Sequence, residues 1–323
     1  MNELMDLKDR YENLRPRYSD LVEEVEFALK RALKGSGLKV VNVQGRVKTL
    51  ESVLEKVERK HYSDPLSEMS DVAGIRVVCQ FTSDLDMVED LIRQLFKVSE
   101  SVNKTALLGA DQMGYAGSHY VIELGNKYTG SRYDGLSGLK CEIQVRTILQ
   151  DAWAQINHSL VYKSEASIPE KERRELNNVS ALLEVAQSIF DRSRETRERY
   201  AAEVADKQGK PSEFMLQPID RETVAAYTKS RYPHLPINEN IQEMLLAQID
   251  RTRYRTIREL DEAVLAAQKA VAAYQREAPM LFKAGTDYLT KSLGFVDAKF
   301  RANHGFAQQT RQAFLKYEHL VER

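Results

Sequence analysis

From Leu139 to Arg146 the chain alternates, with Leu139, Cys141, Ile143 and Val145 on one face and Lys140, Glu142, Gln144 and Arg146 on the other. That two-residue period predicts a half-buried strand whose opposite face is wholly polar. Thr147 follows as an N-cap, and Ile148, Trp153, Ile156, Leu160 and Val161 recur at near-helical spacing, so the strand should run straight into a helix. Glu142, Gln144 and Arg146 would then line a cleft.

The same reading orders the rest of the chain. Residues 1–34 place Leu4, Leu7, Tyr11, Leu14, Leu21, Val25, Phe27, Leu29 and Leu33 on an amphipathic helix, interrupted near Pro16 and closed by Gly35-Ser36-Gly37. A short strand is predicted over 38–43. A helix capped by Thr49 follows, burying Leu50, Val53, Leu54 and Val57. Next come a β-branched strand over 70–81, a helix over 85–96, a strand over 97–102 and a strand edge over 114–122, with an exposed loop at 125–137. Pro169 opens a helical run in which Leu176, Val179, Leu182, Leu183, Val185, Ala186, Ile189 and Phe190 supply a wide apolar face. The polar stretch 207–218, with Gly209, Pro211 and Ser212, is the linker candidate, and helices are predicted over 220–230, 238–249, 256–274 and 306–320. The expected fold class is mixed α/β: a central sheet flanked by helices in residues 1–206, then an α-helical region over 219–323.

At 323 residues there is room for two domains, and the 29% charged residues cancel to a formal net charge of −1, so no global basic field announces nucleic acid. A local exception is Arg251, Arg253, Arg255 and Arg258 around Tyr254, which is either a solvated helix face or an RNA contact. The two cysteines, Cys79 and Cys141, fall in predicted core strands and match neither metal spacing nor a disulfide framework. No apolar run reaches the ~20 residues of a membrane helix, and Glu3, Asp6, Asp9 and Glu12 are wrong for a signal peptide. A reduced, soluble, cytoplasmic protein without membrane contact is expected.

Taken singly, the chemistry-bearing positions have plain structural readings. Lys48, Ser52 and Lys56 would form a solvated helix face, Asp71 a turn or cap, and the polar side of 139–146 a wet sheet surface. Taken in order, they resemble the RelA/SpoT-type nucleotide pyrophosphokinases, the (p)ppGpp synthetases. Glu142–Thr147 is similar to that family's Glu-Ile-Gln-Val/Ile-Arg-Thr strand, and His158–Lys163 to its His-x-Leu-x-Tyr-Lys helix end. Arg46, Lys48, Ser52 and Lys56 match an Arg-x-Lys-x-x-x-Ser-x-x-x-Lys element; Asp71 to Arg76 match Asp-x-x-Gly-x-Arg; Gly114 to His119 resemble Gly-Tyr-x-Ser-x-His.

The resemblance implies a nucleotidyltransferase-like synthetase domain that moves the β,γ-pyrophosphate of ATP to the 3′-hydroxyl of GDP or GTP. It implies Lys48, Ser52 and Lys56 on the ATP phosphates, Arg46 and Arg76 sandwiching adenine, and Mg²⁺ at Asp71. Glu142 would be general base and second metal ligand, and Tyr115, His119, Gln144 and His158 would hold the acceptor. Carboxylate and phosphate oxygens suit that hard ion, and planar guanidinium groups suit a base. With few residues ahead of the matched segments and no His-Asp dipeptide, synthesis without hydrolysis is expected. The helical region would bind a regulatory partner, and a homo-oligomer stays open.

Four departures bear on the acceptor. Asp111 stands where a Lys is common four residues before the tyrosine, Ala116 and Gly117 replace Arg and Ser, and Asp151 replaces an Asn nine residues after Glu142. Added carboxylates and a lost cation disfavour an acceptor's 5′ phosphates. Transfer to tRNA 3′ ends or adenosine nucleotides, or a degenerate nucleotide sensor, are the alternatives.

Overall fold

A computed structural model describes residues 2–60, 62–103, 117–160, 169–252 and 254–322. The chain divides into two compact units, Met1–Ser193 and Arg194–Arg323. The first opens with helix α1 (Asn2–Ser36), then β1 (Val40–Val47), α2 (Leu50–Lys60), α3 (Pro65–Glu68), β2 (Ala73–Cys79) and α4 (Ser83–Leu95). Strands β3 (Lys97–Asn103), β4 (Ser118–Glu123) and β5 (Cys141–Thr147) follow, and α5 (Ile148–Leu160) leaves the end of β5. Helix α6 (Glu170–Gln208) begins in this unit and crosses the division.

The five strands form one mixed sheet in the order β1-β2-β5-β4-β3, with β2 and β5 parallel and the other pairs antiparallel. Its dry face carries Ile75, Val77, Ile143, Val145, Tyr120 and Ile122, covered by Leu21, Val25 and Leu29 of α1 and Val88 and Ile92 of α4 in one continuous core. Covering a single face leaves the other side of every strand free to be polar.

Most of the expected elements form within a few residues of their predicted bounds, and the differences have physical causes. Helix α1 runs unbroken through Pro16. Tyr11, Tyr18, Leu21 and Val25, on both sides of the proline, are buried in the same core, which outweighs the lost backbone bond. Phe27, expected inside, is exposed. Strand β1 extends past Val43 through Gln44-Gly45-Arg46, because α1 crosses it at Gly45: a Cβ there would lie 2.3 Å from Val22 Cγ1. The expected cap is present at α5, where Thr147 Oγ1 accepts from the Gln150 amide and Gln150 Oε1 from the Thr147 amide.

Two apolar faces were misjudged by periodicity alone. Of the α5 set only Trp153 is buried, with Ile148, Ile156 and Leu160 exposed and Val161 outside the described residues. In the part of α6 that belongs to the first unit the buried positions are Ser180 and Gln187, whereas Val179, Leu182, Val185, Ile189 and Phe190 are exposed. Hydrogen bonds decide that orientation: Thr82 donates through its amide and hydroxyl to Asp191, and Gln187 donates to the Gln80 carbonyl.

In the second unit, after α6, come α7 (Pro211–Phe214), α8 (Arg221–Arg231), α9 (Glu239–Ile249), α10 (Ile257–Ala266), α11 (Gln268–Glu277), α12 (Gly285–Val296), α13 (Ala298–Asn303) and α14 (Gln308–Lys316). Tyr227, Leu260, Tyr274, Leu293, Phe300 and Phe314 fill its core. Val204 and Phe214 belong to that core too, so 207–218 is no loose linker, and the division lies earlier, inside α6. Asp220 caps α8 by accepting from the Glu222 and Thr223 amides, and Thr256 with Glu259 caps α10. Tyr254 is buried, and Arg255 Nη1 donates to the carbonyls of Thr252 and Tyr254, so the arginine cluster lacks the exposed ring that base stacking would need. Arg253 lies outside the described residues. Among the described residues no helix is long and apolar enough to cross a membrane.

Both thiols sit fully inside the sheet, and burial pushes Cys79 up to about 12 and Cys141 higher still. Neither should react with Ellman's reagent in the native protein, and both should react at once in denaturant. A fast-reacting thiol before unfolding would contradict the packing of β2 or β5.

Candidate active site

The polar face of the sheet is assembled by register. Arg46 of β1 lies opposite Gly74 of β2, Gln44 opposite Arg76, Gly74 opposite Glu142 of β5, and Arg76 opposite Gln144, while His119 of β4 lies opposite Gln144 from the other side. A hollow of about 230 Å³ opens among Arg46, Asp71, Gly74, Arg76, Glu142 and Gln144. A second, of about 420 Å³, shares Arg46, Arg76 and Gln144 and adds Arg146, Gln155 and His158.

The first cluster in the cleft gathers two lysines on one carboxylate. Lys48 stands in the turn between β1 and α2, its amide bonded to the Val72 carbonyl at 2.8 Å and its own carbonyl accepting from the buried Tyr11 hydroxyl. Lys56 projects from α2 one turn beyond Ser52, and Asp71 precedes β2. Lys48 Nζ and Lys56 Nζ lie 2.6 and 2.7 Å from the same Asp71 Oδ2. Burial would raise this carboxyl, but the two ammonium groups outweigh it and hold Asp71 below the usual carboxylate range. The other oxygen, Oδ1, is buried and makes no hydrogen bond.

Glu142 centres the second cluster. His119 Nδ1 lies 2.8 Å from Oε1, and Gln144 Nε2 donates to Oε2 at 2.7 Å. Burial raises Glu142 and so does the charge of Asp71, yet the bonds from His119 and Gln144 prevail and its carboxyl is held low. An ionised carboxylate only accepts, so Nδ1 is the protonated ring nitrogen.

Arginines make the third cluster. Arg46, Arg76 and Arg146 all wall the larger hollow, and Asp151 of α5 reaches two of them, with Oδ1 3.3 Å from Arg76 Nε and 3.8 Å from Arg146 Nη1. Burial lowers Arg146, and the neighbouring charges of Arg76 and Arg46 add to that.

Residues 45–167 match the region found in RelA / SpoT proteins. Over 203 residues, 59% of this chain and 92% of the relative, the sequence is 34% identical to GTP pyrophosphokinase YjbM of Bacillus subtilis (strain 168). The crystal structure of small alarmone synthetase 1 from Bacillus subtilis superposes with a TM-score of 0.51 at 31% identity, covering 59% of this chain and 99% of that one. The same synthetase bound to its product pppGpp superposes at 0.50 and 30% identity, over 58% and 97%. The chain belongs to the RelA/SpoT family.

Within this RelA/SpoT fold the predicted site residues divide in a way their order in the sequence does not suggest. Lys48, Lys56 and Asp71 converge, and Ser52 lies on the same helix as Lys56, its hydroxyl accepting from Thr49 Oγ1 at 2.9 Å. Among the four acceptor candidates, His119 and Gln144 meet at Glu142, but His158 faces the arginine hollow and Tyr115 lies outside the described residues. Asp111 and Ala116 are outside them as well. Periodicity alone gave no role to Gln44 or Gln155, although Gln44 stands two residues before Arg46 on one strand face and Gln155 three before His158 on one helix face.

A hard divalent cation suits this donor set. Two low-lying carboxylates share a hollow, one has an unsatisfied buried oxygen, and no three His, Cys, Asp or Glu side chains converge among the described residues. An ion held by Asp71 and Glu142 would therefore draw further ligands from substrate phosphates.

Gly117 has a reason of its own. A Cβ there would lie 2.3 Å from the Val145 carbonyl oxygen and 2.4 Å from Arg146 Cγ, and backbone cannot yield as a side chain can. Restoring the resembled family's serine, Gly117→Ser, should lower stability by about 1–3 kcal/mol in urea melts. An unchanged denaturation midpoint would show that β4 enters the sheet differently.

Proposed function

We propose that this RelA/SpoT-family protein transfers the β,γ-pyrophosphate of ATP to the 3′-hydroxyl of GDP or GTP, making (p)ppGpp and AMP. The observation that carries the reading is what one hollow brings together. Asp71, with two lysines on one oxygen and the other oxygen spare, and Glu142, gripped by an imidazole and an amide, line it with Arg46 and Arg76. A triphosphate laid along Lys48, Ser52 and Lys56 replaces Asp71 as the lysines' partner. Its base then falls toward Arg46 and Arg76, whose planar groups can stack on it. Asp71 and Glu142 would hold Mg²⁺, which supplies charge neutralisation for the triphosphate. Glu142, ionised and fixed at both oxygens, accepts the acceptor hydroxyl's proton, and His119 and Gln144 keep it aimed. Phosphoryl chemistry of this kind depends mostly on positioning and electrostatics, which a rigid sheet face supports.

Asp71→Asn and Glu142→Gln should each keep the far-ultraviolet circular dichroism spectrum and lose at least ~10²-fold in turnover. Either variant retaining most of its pyrophosphate transfer would remove that residue from the chemistry.

GDP and GTP rank first as acceptors because His119, Gln144 and Glu142 converge, while Asp151 spends its charge on arginines rather than on the side of His119. Transfer to tRNA or adenosine nucleotides is the second reading, left by Asp111, Ala116 and Gly117. Incubated with ATP labelled in its β,γ-phosphates and a panel of GDP, GTP, AMP, ADP, ATP and bulk tRNA, the protein should label GDP or GTP. Label only on tRNA or an adenosine nucleotide would reverse the ranking. The second unit is proposed as a regulatory or partner-binding module, so the same panel run on residues 1–193 should give the same donor use, with control or acceptor preference altered.

A further inference from the structure

Asp151 contacts two of the arginines that line the larger hollow and lies in the first turn of α5, where the helix N-terminus favours a negative charge. Its carboxylate is fixed at both ends. Gln155, one turn along, donates through Nε2 to Oδ2 at 2.7 Å. Oδ1 is buried, makes no hydrogen bond, and sits 3.3 Å from Arg76 Nε and 3.8 Å from Arg146 Nη1. Three guanidinium groups border this hollow, and in a half-buried setting their mutual repulsion would splay them apart. Glu142 faces the group too, but both its oxygens are engaged by His119 and Gln144.

We infer that Asp151 is a positioning residue for the donor nucleotide: its Oδ1, set by Gln155, holds the planes of Arg76 and Arg146 so that the arginine hollow receives the base of ATP. The inference rests on the proposed donor site and deepens it. A guanidinium is planar, so fixing Nε fixes the face that the group presents, and a contact at Nε leaves the two terminal nitrogens directed into the hollow. It also reverses what the residue type alone suggests. An added carboxylate in the neighbourhood of Glu142 reads as a penalty on the acceptor, whereas the observed contacts put its influence on the arginine side.

The test measures binding of a non-hydrolysable ATP analogue with Mg²⁺ by calorimetry, beside kcat and the KM of the acceptor nucleotide, for wild type, Asp151→Asn, Arg76→Ala and the double variant. Asp151→Asn should weaken the analogue roughly tenfold, the scale of one lost charge-assisted contact, and leave the acceptor KM within about twofold. In the Arg76→Ala background the same change should have a much smaller effect, since the residue acts through that arginine. Gln155→Ala, which leaves both charges in place, should weaken the analogue in the same direction by less. Unchanged analogue affinity in Asp151→Asn, a shift confined to the acceptor KM, or full additivity with Arg76→Ala would each overturn the inference while the donor site stood. Failure of the wild type to bind the analogue would instead remove the donor site, and the inference with it.

Discussion

In the parallel pair β2–β5, Ala73 through Cys79 lie opposite Cys141 through Thr147 residue for residue, so Gly74 and Arg76 share a face with Glu142, Gln144 and Arg146. Ile75, Val77, Ile143 and Val145 consequently share the other face, where they are essentially without solvent. A slip of one residue would exchange the two sets, burying an arginine and a glutamate under α1 and α4. The cost of that exchange locks the register, and the register places the charged groups that the strands themselves bring to the cleft. The neighbours inherit the lock: β1 brings Arg46 beside Gly74 and β4 brings His119 beside Gln144 because each pairs with an already fixed strand. Gly45 belongs to the same constraint, since α1 can press on the dry face only where β1 has no side chain in its way.

How much of this was legible follows from the same constraint. Alternation over 139–146 revealed both faces of β5, and Thr147 marked the change to helix, because those signals are local in sequence. Helix α12 went unpredicted, although nine of its residues are buried. It is apolar or small nearly all round, with Gly285 and Gly294 at close helix contacts, and so shows no one-sided stripe. The stripe on α6 misled for the opposite reason: it is strongly periodic, yet long-range hydrogen bonds from Thr82 and Gln187 turn its polar side inward. In the cleft, the residue types at Lys48, Lys56, Asp71 and Glu142 could be singled out from their motifs. Which group each one touches could not, because Asp71 meets Lys48 across 23 positions and His119 meets Glu142 across the same distance in sequence.

Most of the charges in the cleft are paired internally, and that pairing constrains how a nucleotide could enter. Lys48 and Lys56 both spend their charge on one oxygen of Asp71, Glu142 is held by His119 and Gln144, and Arg76 with Arg146 is offset by Asp151. On the proposed reaction, triphosphate binding is therefore an exchange of partners rather than the filling of an empty positive field. Phosphate oxygens that take the two lysines leave Asp71 with a half-buried, uncompensated charge, and such a charge costs several kcal/mol by general experience with broken buried pairs. The same carboxylate already has its second oxygen without a bond. Anion and cation thus have to arrive together for the exchange to be favourable, and a triphosphate carrying a divalent ion meets that condition where a bare one does not. The net charge of −1 fits this picture: selectivity for such a ligand is built from paired charges at a fixed register, with no need for a long-range basic field.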